Sequence, residues 1–278
     1  VRSVALTREE IGTLIREIAK RNLKRIPVTN QYEFLRVKDK DIFLILHNTG
    51  KMVFQESKGV ENLLDSILEK EELDVIGTDE AGKGEWYGPL VVAGVALTPE
   101  ETVELRKMGI SDSKGLSSFR IYEIGDFCKK VGIEREVRVI SPERYNRLYE
   151  DFQKEKKNLN DILSWAHTGI IHDLLERLHP RKARVVIDKF DVGEKALPER
   201  MGKLEKFDVE IIQKIGAESE AAVAAASVLA KFTFEEEVKK LNSKFDIDLR
   251  NMNPEDVLED VLPFVAKLHF KNVKKLLG

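Results

Sequence analysis

The sequence predicts an α/β fold, a mixed sheet flanked by helices, with a smaller α+β module ahead of it. Two observations carry this reading. Residues 1–70 run helix, three short strand-like segments, helix. From residue 73 onward, three strands in hairpin order precede strands that alternate with helical stretches, the order a mixed sheet requires. At 278 residues the chain is long enough for one or two packed domains of about 100–200 residues each.

In the first module Leu6, Ile11, Leu14, Ile15 and Ile18 recur at helical spacing, with Thr7 as N-cap and Glu10 three residues on. Strand-like runs follow at 32–37, 41–46 and 51–54, separated by residues 38–40 and by Asn48-Thr49-Gly50, which suit hairpin turns. Ser57 opens a second helix through Leu63, Leu64, Ile67 and Leu68, and the charged run 69–72 closes the unit. Tyr32, Phe34, Phe43 and Phe54 are expected in its core, because one sheet face must be buried against two helices. Lys20, Arg21, Lys24 and Arg25 form a basic cluster.

In the larger part an apolar strand at 73–78 runs straight into Asp79-Glu80. Further strands are predicted at 89–97, 133–140, 183–188 and 209–215, and helices at 117–131 and 158–178. A long Ala-rich helix is expected from about residue 218 to 241, then two shorter helices at 255–262 and 264–277.

Composition excludes several classes. Hydrophobic residues make up 42% and are spread throughout, which excludes intrinsic disorder. The longest apolar run, 221–226 with 228–230 after Ser227, falls short of the roughly 18–20 residues that span a bilayer. Residues 7–25 mix charged and apolar side chains, unlike a secretory signal. A single cysteine, Cys128, excludes an internal disulfide and a zinc site built on thiolates, and its helix assigns it to packing. The five histidines lack zinc-ligand spacing. The expectation is a soluble cytoplasmic monomer with no membrane partner. A net charge of −3 does not announce nucleic acid, but such binding depends on local basic surface rather than on the total.

The most informative string is Gly77-Thr78-Asp79-Glu80-Ala81-Gly82-Lys83-Gly84-Glu85. Gly77 through Lys83 satisfies the first seven positions of a phosphate-binding loop. Against that, Gly84 supplies no hydroxyl, the two acids would repel phosphates, and a strand rather than a helix follows Gly88-Pro89. Two carboxylates beside a glycine turn fit better as ligands of a hard divalent cation such as Mg²⁺, which accepts carboxylate oxygens and bridges to phosphate. Because neighbours on a strand point to opposite faces, Asp79 and Glu80 can share a site only if the strand twists or bulges there. Asp188, at the end of Val185-Val186-Ile187, and Glu218, at the start of the Ala-rich helix, are the further candidate acids.

The string Asp79-Glu80-Ala81-Gly82-Lys83-Gly84 with Gly88-Pro89-Leu90-Val91-Val92-Ala93 resembles the signature of the type 2 ribonucleases H. So do Asp112-Ser113-Lys114, the Val185–Asp188 strand, and Ala217-Glu218 leading into Ala224-Ala225-Ala226-Ser227-Val228-Leu229-Ala230-Lys231. Glu218 in place of aspartate, Asn158-Leu159-Asn160-Asp161 with His167, and Val265-Ala266-Lys267-Leu268-His269-Phe270 resemble the HIII branch. Lys189 and Gly216 depart from the pattern of that branch.

The resemblance implies a ribonuclease H-like domain over 73–278 and a TBP-like substrate-binding domain over 1–70. It also implies endonucleolytic cleavage of the RNA strand of an RNA/DNA hybrid, leaving 5′-phosphate and 3′-hydroxyl ends. Asp79, Glu80, Asp188 and Glu218 would be catalytic and hold Mg²⁺ or Mn²⁺; Gly82, Lys83, Gly84, Ser113 and Lys114 would contact substrate. Two alternatives remain open, a junction ribonuclease acting at single ribonucleotides in DNA and a non-catalytic hybrid-binding protein.

Overall fold

The computed structural model describes residues 1–70, 72–110, 118–188, 204, 206–214 and 216–277. The expected substrate contacts Ser113 and Lys114, the departure at Lys189 and the side chain of Glu218 lie outside the described residues.

The chain begins with β1 (Arg2–Ala5), α1 (Arg8–Lys20), β2 (Arg25–Ile26), β3 (Glu33–Asp39), β4 (Ile42–His47), β5 (Lys51–Phe54) and α2 (Lys58–Ile67). The strands form an antiparallel sheet in the order β1-β5-β4-β3-β2. The predicted meander is β3-β4-β5; it gains two edge strands of four and two residues, too short to carry a periodic signal. Thr7 and Glu10 form the expected capping box, and Ser57 caps α2. Val37, Leu44, Leu46, Met52 and Phe54 alternate inward against Leu14 and Ile18 of α1 and Leu63, Leu64 and Ile67 of α2.

Both helices cover one face, so the other stays open. Of the four aromatics expected in the core, only Phe54 is there: Tyr32 and Phe34 are 68% and 55% exposed and Phe43 is half-buried, and Phe34 faces away from its buried neighbour Leu35. Of the basic cluster, Lys20 and Arg21 both pair with Glu17, and Arg21 also donates to Ser66 Oγ at 2.6 Å, tying α1 to α2.

The second sheet is built from β6 (Asp74–Ala81), β7 (Leu90–Leu97), β8 (Glu134–Ile140), β9 (Ala183–Asp188) and β10 (Val209–Lys214) in the order β10-β9-β6-β7-β8. β6, β7 and β8 run antiparallel, whereas β9 is parallel to both β6 and β10, the mixed sheet that was predicted. The helices of this part are α3 (Pro99–Lys107), α4 (Ser118–Val131), α5 (Pro142–Lys154), α6 (Leu159–Leu178), α7 (Ala221–Phe245), α8 (Leu262–Val265) and α9 (Lys271–Lys274). α3 and α5 lie outside the sequence reading, yet each is announced by a hydroxyl N-cap and a first-position proline, Thr98-Pro99 and Ser141-Pro142. The two expected C-terminal helices are reduced to a 3₁₀ turn at Pro254–Asp256 and the single turns α8 and α9. Here the backbone leaves the helix to bridge Ala266 to Tyr87, and Lys267 N–H donates to the Trp86 carbonyl at 2.7 Å.

α6 covers one face of this sheet with Ile162, Ala166, Ile170 and Leu174, and α7 covers the other with its alanines. The two sheets are joined through Glu10. Its fully buried carboxylate accepts from both terminal nitrogens of Arg106 on α3 at 2.7 Å and from the backbone N–H groups of Thr7 and Glu69. Burial alone would raise the Glu10 pKa, but these donors and the guanidinium charge hold it below the usual carboxylate range. Val103 of α3 completes the core of the first sheet.

α7 approaches β6 closely at Gly77. A Cβ there would lie 2.2 Å from the Val223 nitrogen and 2.3 Å from the Ala222 carbonyl carbon, both backbone atoms that cannot swing aside. Gly77→Ala is therefore expected to cost about 1–3 kcal/mol of unfolding free energy by displacing the helix, measured by denaturant titration; unchanged stability would show that the helix can yield.

Candidate active site

The ends of β6 and β9 assemble the candidate site. Their parallel pairing runs to Thr78↔Ile187, so Asp79 and Asp188 stand on the next rung. Alternation assigns their faces: Val75 and Gly77 on β6 and Val186 on β9 turn toward α7, and the two aspartates follow the same parity. Asp188 Oδ1 accepts the Ala217 N–H at 3.1 Å. This ties the strand end to the 3₁₀ turn Ala217–Ser219, which carries the backbone of Glu218 and precedes α7. Glu218 thus sits in a turn before the helix rather than at its first residue.

Asp79 lies between neutral donors. Its Oδ1 accepts the Glu80 N–H at 2.9 Å, and its carboxylate is hydrogen-bonded by the buried hydroxyl of Ser227 on α7. Burial pushes its pKa up to about 6; the Ser227 bond opposes the rise and the neighbouring Glu80 charge adds to it.

Glu80 occupies the opposite face. Its Oε2 lies 3.2 Å from His167 Nε2, while His167 Nδ1 lies 2.8 Å from Thr78 Oγ1. Oε1 is 3.5 Å from Lys83 Nζ. Burial would raise the Glu80 pKa, but the His167 bond, with the His167 and Lys83 charges, holds it below the usual range. The pairing of β6 with β7 is regular through Ala81↔Val91, so no bulge turns Glu80 onto the face of Asp79. Among the described residues, no three His, Cys, Asp or Glu side chains gather into a cluster that could hold a metal ion. The structure therefore brings together Asp79, Asp188 and the backbone of Glu218, and sets Glu80 across the strand from them.

Residues 77–81 are strand, and the chain passes from the glycine turn into β7 without a helix, which removes the phosphate-loop alternative. Gly82 has φ +85°, and a Cβ there would meet the Pro89 carbonyl oxygen at 2.2 Å. Gly84 is different: a Cβ there would meet nothing within 4 Å. The turn opens onto a groove of roughly 400 Å³ lined by Glu80, Gly82, Gly84, Tyr87, Lys231 and Arg250.

Two residues of this region escaped sequence reasoning. In the sequence His167 and Lys267 stand only as parts of the resemblance, His167 also as lacking zinc-ligand spacing; neither stands in a pattern that marks a buried hydrogen-bonding role. Lys267 is 1% exposed, and its ammonium donates to the carbonyls of Glu85, Tyr87 and Gly88 at 3.0, 2.8 and 2.8 Å. Burial lowers its pKa to about 7, against the raising effect of the Glu85 charge. Trp86 and Tyr87 pack on the core as anchors of the same turn. Cys128 packs there too, and burial raises its thiol pKa to about 11.

Helices cover both faces of a five-stranded mixed sheet, and aspartates end two adjacent parallel strands beside a glycine turn: an α/β domain with its acids at one end of the sheet. A sequence profile of the family described as Ribonuclease HII matches residues 76–252. The protein named Ribonuclease HIII of Chlamydia abortus is 33% identical over 269 residues, covering 87% of this chain and 86% of its own. Among solved structures, Bst-RNase HIII in complex with Mn²⁺ superposes with a TM-score of 0.64 at 21% identity, over 99% of this chain and 97% of the other. Aquifex aeolicus RNase H3 does so with a TM-score of 0.57 at 22% identity, over 97% and 100%. The chain belongs to the type 2 ribonuclease H family, in its ribonuclease HIII group.

The raised pKa of Asp79 fixes the sign of a pH effect. The folded state binds that proton more tightly than the unfolded chain, so the stabilisation is present below about pH 4 and is lost as pH rises through about 6. In chelator at neutral pH, Asp79→Asn is expected to be more stable than the parent by about 1–3 kcal/mol, with the difference vanishing near pH 4. Denaturant midpoints at the two pH values test this, and a pH-independent difference would contradict it.

Proposed function

We propose that this protein is an endonuclease that hydrolyses the RNA strand of RNA/DNA hybrids, leaving 5′-phosphate and 3′-hydroxyl ends, and acts as a monomer in the cytoplasm. The observation that carries the reading is the shared rung and shared face of Asp79 and Asp188 beside a glycine turn that opens onto a groove.

The residues fit a divalent cation. Asp79 is a buried carboxylate whose hydrogen bonds come from neutral donors, a setting that favours an added positive charge over ionisation alone. Asp79, Asp188 and Glu218 would hold Mg²⁺ or Mn²⁺, with Glu80 as the fourth catalytic acid at the rim. When bound, such an ion supplies positive charge to activate water and to stabilise the departing 3′-oxygen. His167 serves Glu80 rather than the reaction as a base, since it is 1% exposed and both ring nitrogens face Thr78 and Glu80.

RNA is told from DNA by its 2′-hydroxyl. The backbone of Gly82, Lys83 and Gly84 would meet that hydroxyl, and the open space at Gly84 supports this role, because nothing in the protein itself requires a glycine there. Lys83, Ser113 and Lys114 would contact phosphates and sugars. Residues 1–70 would grip the duplex through the open face of the first sheet, where Tyr32 and Phe34 are exposed and Arg36 lies 5.9 Å from the Phe43 ring centroid. Arginine and aromatic groups on one surface suit phosphates and bases together.

A labelled RNA/DNA hybrid should be cut with Mg²⁺ or Mn²⁺ and left intact in chelator. Asp79→Asn or Asp188→Asn should reduce cleavage to background while hybrid binding persists. A DNA duplex with one embedded ribonucleotide should be a poor substrate; efficient incision there would favour the junction activity, and binding without turnover the non-catalytic reading.

Gly84→Ala should leave unfolding stability unchanged yet weaken hybrid cleavage, and full activity would remove the glycine turn from the substrate contacts. Removing residues 1–70 would also strip Arg106 and Val103 of their partners, so Tyr32→Ala with Phe34→Ala is the cleaner variant. It should weaken hybrid affinity at moderate salt, and unchanged affinity would refute the role given to that face.

A further inference from the structure

Behind the turn at 85–88 lies a buried lysine that the reaction scheme leaves unused. Lys267 directs all three ammonium hydrogens at backbone carbonyls, those of Glu85, Tyr87 and Gly88. A charge withdrawn from water in this way is costly, and a carboxylate is its usual partner. Three carbonyls in its place indicate that the group held is the turn itself.

Around this point the chain segment 263–268 and the turn 85–88 are stitched together. Gly88 N–H donates to the Val265 carbonyl at 2.8 Å and Lys267 N–H to that of Trp86 at 2.7 Å. The segment is held in turn by Asn146 of α5. The buried Asn146 side chain donates to the Ala266 carbonyl at 2.9 Å and accepts the Leu268 N–H at 2.9 Å. The glycine turn is thus fixed at both ends, by the close packing of Gly82 against Pro89 and Phe234 upstream and by Lys267 downstream. Between them lies Gly84, which no protein atom approaches within 4 Å of a Cβ position.

We infer that Lys267 is a positioning residue for substrate selection: by pinning the carbonyls of Glu85, Tyr87 and Gly88, it holds the Gly82–Gly84 backbone rigid against the ribose of the bound strand. This rests on the reading that the glycine turn meets the 2′-hydroxyl. The physical reason is preorganisation, since a turn already fixed in its binding conformation loses less freedom when substrate arrives.

The test compares the full-length protein with Lys267→Met, which keeps the length of the side chain and removes its donors. Amide hydrogen exchange without substrate should quicken by about tenfold across residues 83–88, the equivalent of one lost hydrogen bond to a charged group, while exchange in α6 stays as it was. Affinity for an RNA/DNA hybrid in chelator should fall by a similar factor while affinity for a DNA duplex holds, and KM should rise with kcat nearly constant.

Unchanged exchange at 83–88 overturns the pin. Faster exchange with equal losses for hybrid and DNA duplex overturns the role in selection. A parent protein that binds both duplexes equally overturns the reading of the glycine turn and with it the role in selection, whereas the pin is decided separately by the exchange measurement, which needs no substrate. If Lys267→Met does not fold, Lys267→Arg takes its place: it keeps the charge, alters the donor geometry, and must give the same split at smaller amplitude.

Discussion

The site depends on how closely α7 can lie on β6. At Gly77 the helix backbone occupies the volume that any side chain would need, and the alanines along the contact keep the spacing small. That approach sets the Ser227 hydroxyl against Asp79. It also places the turn before α7 where its Ala217 N–H reaches Asp188. Two strand ends and one helix start are thereby fixed to one another by packing and by two polar contacts. A thicker interface would leave the same acids on the same elements and break both polar contacts.

Adjacent acids acquire opposite characters from the two faces of one strand. Asp79 faces α7, meets neutral donors and resists ionisation; Glu80 faces α6, meets His167 and Lys83 and ionises readily. Alternation along the strand is the cause, and the regular pairing with β7 preserves it. The dipeptide therefore offers one carboxylate that gains most from a bound cation and one whose charge is already stabilised.

Much of this was legible in the sequence, for identifiable reasons. Apolar runs that end in Asp79 and Asp188 mark strand ends, and the glycine turn marks close approach. Residues with a period declared themselves: the capping box at Thr7 and Glu10, the meander, and the Ala-rich helix. What escaped has no period. Edge strands β1 and β2 are too short, Lys267 is one lysine among apolar neighbours, and the partnership of His167 with Glu80 spans 87 residues. The exposure of Tyr32 and Phe34 was missed because aromatic content alone does not say which face of a sheet the helices cover. The C-terminal segment has helical composition, yet its backbone groups pair with the turn at 85–88 instead.

The two sheets act as one scaffold through Glu10 and Arg106, whose bidentate pair is buried at their junction and flanked by Val103. A duplex held on the first sheet would therefore meet the acids of the second at a set distance. At the centre of the account stands the claim that Asp79 and Asp188 converge on a cation-binding point. Anomalous diffraction from crystals of the protein grown with Mn²⁺ tests it most directly. The account predicts a peak ligated by the carboxylates of Asp79 and Asp188 with Glu218 within reach; a peak coordinated elsewhere, or none between these two residues, would contradict it.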